Sequence, residues 1–436
     1  MEQFKNNVKK RIDILGKEIS WMLAEHADTA VGEVSVKQLL GGMRGLTALV
    51  CNTSFVDPYR GLFISDYAIP EFADKLPEEV FYLLCAGKFP SETELAELQE
   101  EFSFRAELPE YLWTFIRQLP HHLHPMTMFS LCILALEGQS VFKQRYEAGE
   151  LTKSEYWELM LEDALNLVAK LPVIAAAIYR IHLLREEPID YRPSLDWGAN
   201  LANMLGVNPE LSFAELVRLY MVLHCDHEGG NVSAFTSRVV NSALSNLYYA
   251  TSAGLNGLAG PLHGLANQVC LKFIRAIHER FGESPSTDQL DDFVKEELKA
   301  GRVIPGYGHA VLRVTDPRFT AFMEFGNRHC PNSPYLQTVK KLYYVVPTIL
   351  KAYKAGKVAN PYPNVDAISG TLLYHYGITH FDFYTVMFGI SRTFGFCAQS
   401  IIALGLNQPI IRPKSVTNNW LKEFLKSKNA PSETEE

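Results

Sequence analysis

The residues able to do chemistry gather in a few short segments. In His224-Cys225-Asp226-His227-Glu228-Gly229-Gly230-Asn231, two histidines stand three apart at the end of an apolar helical run. That spacing could hold a metal ion, as in a hydrolase, but the H-E-x-x-H order is absent and two glycines end the helix at once. A satisfied core histidine and a histidine that binds substrate are the other two readings. In Asn256-Gly257-Leu258-Ala259-Gly260-Pro261-Leu262-His263-Gly264, glycine and proline lead straight into an apolar run. His263 is therefore expected in the first turn of a helix, where the positive end of the dipole disfavours imidazolium. A neutral histidine so placed can donate a hydrogen bond to a developing enolate; a plain buried histidine is the alternative.

The stretch Gly301 to Arg318 holds Gly306-Tyr307-Gly308-His309 and three arginines, Arg302, Arg313 and Arg318. Glycines beside a histidine let backbone amides crowd a ligand, and arginine grips carboxylate or phosphate with two parallel hydrogen bonds. A solvated basic loop would look the same. Val311 stands where the third glycine of G-x-G-x-x-G would fall, so a dinucleotide fold is not supported. In Asn360-Pro361-Tyr362-Pro363-Asn364-Val365-Asp366, the aspartate either caps a helix or acts as a general base. Arg392 and Arg412 sit in otherwise apolar stretches, and a buried arginine needs an anion. His121-His122-Leu123-His124-Pro125 is read as a loop before a helix from Met126, with no metal.

Helices must position these groups. Thr152-Lys153-Ser154-Glu155 reads as a capping box opening a long helix, with Trp157, Leu161, Ala164, Leu165 and Val168 on one face. Pro172 should stop or kink it before an apolar helix resumes from Val173 to Leu184. Ser212-Phe213-Ala214-Glu215 opens another helix, and the best strand candidate is Leu62 to Ile64. No repeat of solenoid length occurs. The polar tail from Ser427 to Glu436 is expected to fray. The fold class is mainly α.

With 436 residues, 47% of them hydrophobic, the chain is too long for one ordinary domain, and two are expected. A net charge of -8 argues against nucleic acid as a partner. The seven cysteines are single, with no C-x-x-C pair, and read as reduced small hydrophobes of a reducing compartment. No run of about 18 apolar residues is seen, so no membrane span is expected. The first residues, Met1 to Leu23, include Glu2, Asp13 and Glu18 and lack the character of a signal or transit peptide.

Taken together and in order, the segments Gly41-Gly42-Met43-Arg44-Gly45, Leu123-His124-Pro125-Met126, His227 to Ser233, Gly260 to Asn267, Pro305 to Arg313, Pro363 to Asp366, Ser391-Arg392 and Arg412-Pro413-Lys414-Ser415 resemble the citrate synthase family, in its eukaryotic-type, dimeric branch. The resemblance spans nearly the whole chain. It implies an acyltransferase that condenses acetyl-CoA with oxaloacetate and hydrolyses citryl-CoA, the entry step of the tricarboxylic acid cycle. A 2-methylcitrate synthase using propionyl-CoA is the alternative.

The implied catalytic residues are Asp366 as base, His263 as enol stabiliser and His309 as proton donor to the oxaloacetate carbonyl. His227, Arg318, Arg392 and Arg412 would hold oxaloacetate, with Arg412 reaching across from a second subunit. Arg44 and Arg313 match CoA contacts, and Ser233 supports the His263 loop. The implied architecture is a large helical domain, 1–264 plus 378–436, and a small mobile one, 265–377, that close on the substrates. A homodimer is expected, with acetyl-CoA as a substrate rather than a cofactor and no nucleic-acid or membrane partner. The expected location is a bacterial cytoplasm, with the mitochondrial matrix as alternative for a processed chain.

Overall fold

A computed structural model of the chain describes residues 1–353, 358 and 360–429. The fold is mainly α, with one small antiparallel sheet. Its strands are β1 (Ser54–Asp57), β2 (Gly61–Ile64) and β3 (Tyr67–Ala68), in that order, so the run Leu62 to Ile64 lies in a strand as expected. Ser54 pairs with Ile64 and Asp57 with Gly61. Gly61 has φ +91°, and a Cβ there would come within 2.5 Å of Pro317. The hairpin thus touches the helix that begins at Pro317.

The core centres on two long helices, Tyr156–Ile178 and Tyr384–Gly405, packed on each other. Thr152 and Glu155 form the expected capping box in a short 3-10 turn ahead of the first. Trp157, Leu161, Ala164, Leu165 and Val168 are all buried, as their period requires. Pro172 does not end this helix. The helix runs on to Ile178 and widens into a π-helical segment, Tyr179–Leu184. Proline removes one donor, but Leu171, Val173 and Ile174 are buried around it, so packing holds the helix together.

Two helical stretches, Lys153–Leu184 and Phe381–Gly405, are long and apolar enough to cross a membrane by length and composition, against the sequence expectation. Asp163 and Lys170 interrupt the apolar run and so hide it from a strict count. Both stretches are largely enclosed by protein, 78% and 94% of their apolar windows being buried.

Boundaries elsewhere shift slightly. The helix expected from Ser212 is Leu211–Leu223, with Glu210 at its cap. The helix expected from Met126 begins at Pro125, and His124 caps it by accepting the Met126 N–H at 3.1 Å. His121 Nδ1 instead lies 2.9 Å from His182 Nδ1. Asn418–Asn429 is a helix, so the start of the tail is its last turn; residues 430–436 lie outside the described residues.

The helices Ala266–Phe281, Thr287–Lys299, Pro317–His329, Pro334–Tyr353 and Asp366–His375 pack mainly on one another. They meet the rest of the fold through the short helix Ile69–Phe72, through Leu211–Leu223 and through the hairpin. Of the residues singled out above, His227, His263, His309, Arg318, Asp366 and Arg392 gather near that junction.

Candidate functional site

The helix Leu211–Leu223 ends at His224, and the chain then turns through a strongly anchored loop. Its anchor is Asp226, fully buried, which accepts hydrogen bonds from Thr53 Oγ1 (2.5 Å), Ser54 Oγ (2.9 Å) and Gln399 Nε2 (2.9 Å). Gly395 makes room for it: a Cβ there would lie 2.5 Å from Asp226 Oδ1. Asn231 closes the loop. Its Nδ2 donates to the carbonyls of His227 (2.9 Å) and Glu228 (3.1 Å), while its Oδ1 caps the helix Val232–Ser242. His227 is thereby held with its ring 5.7 Å from that of His309.

His263 is not in a helical first turn. It lies in a turn after Gly260, and the following helix starts only at Ala266. Its Nε2 is 2.8 Å from Ser233 Oγ and accepts the Ser233 backbone N–H at 3.3 Å. That amide belongs to the first turn of Val232–Ser242. The helix start that disfavours imidazolium is therefore a different one from the one expected. Burial and the charge of Arg392 push His263 down to about 4. With Nε2 accepting, the proton sits on Nδ1.

His309 has the opposite tautomer. Its Nδ1 accepts the N–H groups of Val311 and Leu312, both at 3.0 Å, so Nε2 carries the proton. Burial, then Arg318, push it down to about 4. Arg313 folds back on the same loop, donating to the carbonyls of Val311 (2.7 Å) and Leu312 (2.8 Å). Its backbone N–H bonds Pro58 of the hairpin at 2.7 Å.

Two buried arginines face these histidines. Arg318, in the first turn of Pro317–His329, is gripped by the fully buried Asp316 through Nε (3.1 Å) and NH2 (2.7 Å). Arg392, inside Tyr384–Gly405, donates to the His224 carbonyl at 3.0 Å and lies 4.7 Å over the Phe388 ring. No carboxylate pairs with it among the described residues, and burial lowers its pKa to about 10. Asp226 and Asp366 offset this buried cation only from a distance, which leaves room for an anionic ligand. His227 is driven well below its ordinary value by burial and by both arginines.

Asp366 is the first residue of Asp366–His375, one position inside the helix rather than at its cap. Its N–H bonds Asn364 Oδ1 at 3.0 Å. Burial pushes its carboxyl up to about 6, against the pull of Arg318 and Arg392. A carboxylate poised there, beside two neutral imidazoles with assigned protons and two arginines, can remove a weakly acidic proton while donors stabilise the resulting anion.

His227, His263, His309, Arg318, Asp366 and Arg392 are thus brought together, with Ser233 against His263. Arg44 and Arg412 are exposed, and no hydrogen bond among the described residues ties them to this cluster. Asp316, Asn231 and Asn364 hold the cluster in shape, yet residue type alone did not single them out. Asp316-Pro317 carried a helix-start signal that could have marked Asp316.

A family model described as "Citrate synthase, C-terminal domain" matches residues 42–414. "Citrate synthase 4, mitochondrial" of Arabidopsis thaliana is 46% identical over 413 residues, covering 92% of this chain and 86% of the relative. "Citrate synthase, mitochondrial" of Kajikia audax is 44% identical over 434 residues, covering 96% and 91%. The crystal structure of citrate synthase from Pyrobaculum aerophilum superposes with a TM-score of 0.74 at 28% identity, covering 87% of this chain and 92% of that one.

Proposed function

The chain belongs to the citrate synthase family, and from that premise we propose how its residues divide the reaction. The enzyme is an acyltransferase that joins the acetyl group of acetyl-CoA to oxaloacetate and releases citrate and CoA. The relatives described above are citrate synthases, which favours this reading over a 2-methylcitrate synthase. The bacterial cytoplasm expected above is overturned: the relatives in Arabidopsis thaliana and Kajikia audax are mitochondrial, which points to the mitochondrial alternative.

In the proposed mechanism Asp366 takes a proton from the acetyl methyl group. His263 donates from Nδ1 to the thioester oxygen, where negative charge gathers in the enolate. His309 donates from Nε2 to the ketone oxygen of oxaloacetate as the new C–C bond turns it into an alkoxide. His227, Arg318 and Arg392 hold the two oxaloacetate carboxylates. Asp316 already pairs directly with Arg318, whereas Arg392 has no direct carboxylate partner among the described residues and is freer to meet the substrate. Arg44 and Arg313 take CoA phosphates. Acetyl-CoA is consumed as a substrate, and the reading invokes no cofactor or metal. The observation that carries it is the gathering of His227, His263, His309 and Asp366 around the buried Arg318 and Arg392, with His263 and His309 held in complementary tautomers.

The proposal includes two domains, 1–264 with 378–436 and 265–377, closing over the junction that holds the site. It also includes a homodimer. Val31, Leu40, Met43 and Val50 are exposed, as are Ile410 and Trp420. A cavity of about 730 Å³ lies among Met43, Leu49, Phe235, Ile410 and Pro413. A second copy covering this apolar surface would bury it and carry Arg412, which emerges from it, toward the neighbouring site.

The test replaces the base. Asp366→Ala should abolish exchange of acetyl methyl protons into heavy water while oxaloacetate still binds; undiminished exchange would place the base elsewhere. In the parent enzyme, turnover with acetyl-CoA should exceed that with propionyl-CoA by at least about tenfold.

A further inference from the structure

The loop that carries His309 and the loop that leads into Asp366 are joined as a short ladder. Tyr307 bridges Pro363, Gly308 N–H donates to Tyr362 O at 3.0 Å, and Asp316 N–H donates to Pro363 O at 3.1 Å. At the joint stands Asn364, whose carbonyl accepts the Ala367 N–H at 3.2 Å and which makes three further hydrogen bonds. Its backbone N–H donates to Gly306 O at 2.8 Å. Its Nδ2 donates to Gly308 O, the carbonyl just before His309, at 3.0 Å. Its Oδ1 accepts the backbone N–H of Asp366 at 3.0 Å. The amide can face only one way, because a carbonyl lies on one side and an N–H on the other. Gly306, at φ +76°, sits so close to the helix start that a Cβ would fall 2.7 Å from Ala367 Cα. The two loops therefore have no slack between them.

We propose that Asn364 is a positioning residue whose side-chain amide sets the register between Asp366 and His309, so that proton removal and ketone protonation share one geometry. This rests on the roles assigned to Asp366 and His309 above. A carboxamide is required because one side chain must accept from the helix and donate to the loop. Aspartate keeps the acceptor, loses the donor, and places a negative charge beside the peptide that bears Asp366. Alanine loses both bonds and adds no charge.

The test uses the full chain with Asn364→Asp and Asn364→Ala, checked for folding by thermal unfolding. Both variants should lose roughly tenfold to a hundredfold in kcat, the scale of a misplaced catalytic group. The KM for oxaloacetate should stay within about threefold, because the arginines are untouched. In Asn364→Asp the acid limb of the pH profile should move up by at least about half a unit, since a second carboxylate near Asp366 raises its pKa. In Asn364→Ala it should not move up. A merely structural role would lower the unfolding temperature of both variants without this split between kcat and KM in the folded enzyme.

Turnover within about threefold of the parent in both folded variants, or loss of folding in both, would overturn the proposal. Asp366→Ala and His309→Ala are run beside them. If those retain turnover, the acid and base lie elsewhere; if they are inactive while Asn364→Asp is fully active, only the positioning role fails.

Discussion

Ser233 places its hydroxyl 2.8 Å and its backbone N–H 3.3 Å from Nε2 of His263, across thirty residues of sequence. The amide is in the first turn of a helix whose cap, Asn231, has its Oδ1 2.9 Å from the same hydroxyl, so Oδ1 and Nε2 share one hydroxyl proton and the amide is the constant donor to the ring. One helix start thus fixes the tautomer of His263 and, through Asn231, the loop that carries His227. Protonating Nε2 would set an imidazolium against that N–H and the helix dipole, which is why neutrality is structural here.

Ser233→Ala should keep the backbone donor and lose the hydroxyl. We expect kcat to fall about fivefold to thirtyfold, the worth of one buried hydrogen bond, with little change in the KM for oxaloacetate. Steady-state kinetics on both substrates measures this. An unchanged kcat would show that the amide alone orients the ring.

The pH profile should be governed by a single proton on its acid side. His263 and His309 are both held down at about 4, whereas Asp366 is raised to about 6. A base must be ionised to work, so activity should rise with pH through about 6 and fall as pH drops below it. Between about pH 5 and 7 Asp366 is the one of the three that changes state appreciably. The measurement is kcat/KM for acetyl-CoA against pH at saturating oxaloacetate. A slope of two in that window would mean that a histidine titrates with it.

Glu78 is a buried carboxyl the reaction does not use. It accepts the Trp197 N–H at 2.8 Å, and burial raises it from 4.5 to about 7. A raised folded pKa means that the folded state holds its proton longer than the unfolded chain. Stability is therefore greatest below about 4.5 and is lost as pH rises to about 7, with no further loss above it. Glu78→Gln keeps an acceptor for Trp197 and cannot ionise. Its advantage over the parent should grow between pH 5 and pH 8, by up to about 3 kcal/mol. Thermal unfolding at the two pH values checks this, and an unchanging difference would remove Glu78 as the cause.

What the sequence revealed was local. The Thr152 capping box, the buried face from Trp157 to Val168 and the strand at Leu62 are properties of neighbours three or four apart, or two apart. The fate of Pro172 was not local, because packing around the proline decides whether the helix survives it. His263 shows both sides. Its neutrality was expected, but the helix responsible is thirty residues upstream, and no reading of Gly260-Pro261 could find it. The order of the motif segments identified which residues to watch. It did not reveal that Asn364 ties two segments together, since that is fixed by tertiary approach. Nor did it reveal that Asp316 grips Arg318 or that Arg313 folds onto the His309 loop: these partners are only one to three residues apart, but the irregular backbone between them has no period to read. Arg44 and Arg412, apart from the cluster in a single chain, mark where sequence pattern outruns one chain's geometry.

Arg412 offers the test of assembly. It is exposed between Ile411 and Pro413, beside the apolar surface proposed to meet a second copy. If it completes the neighbouring site, a heterodimer of Arg412→Ala and Asp366→Ala chains concentrates the damage. The site built on the Asp366→Ala chain lacks its base and receives the altered residue 412. The other site keeps Asp366 and receives a normal Arg412 from its partner. Each parent homodimer should be nearly inactive, and the heterodimer should recover about half the activity if the two sites work independently. Tandem affinity tags would isolate the mixed species for assay. Were Arg412 to serve its own subunit, one site would lack the arginine and the other the base, and a verified heterodimer would stay as inactive as its parents. That result would assign Arg412 to its own chain and leave the exposed apolar surface as the dimer's only support.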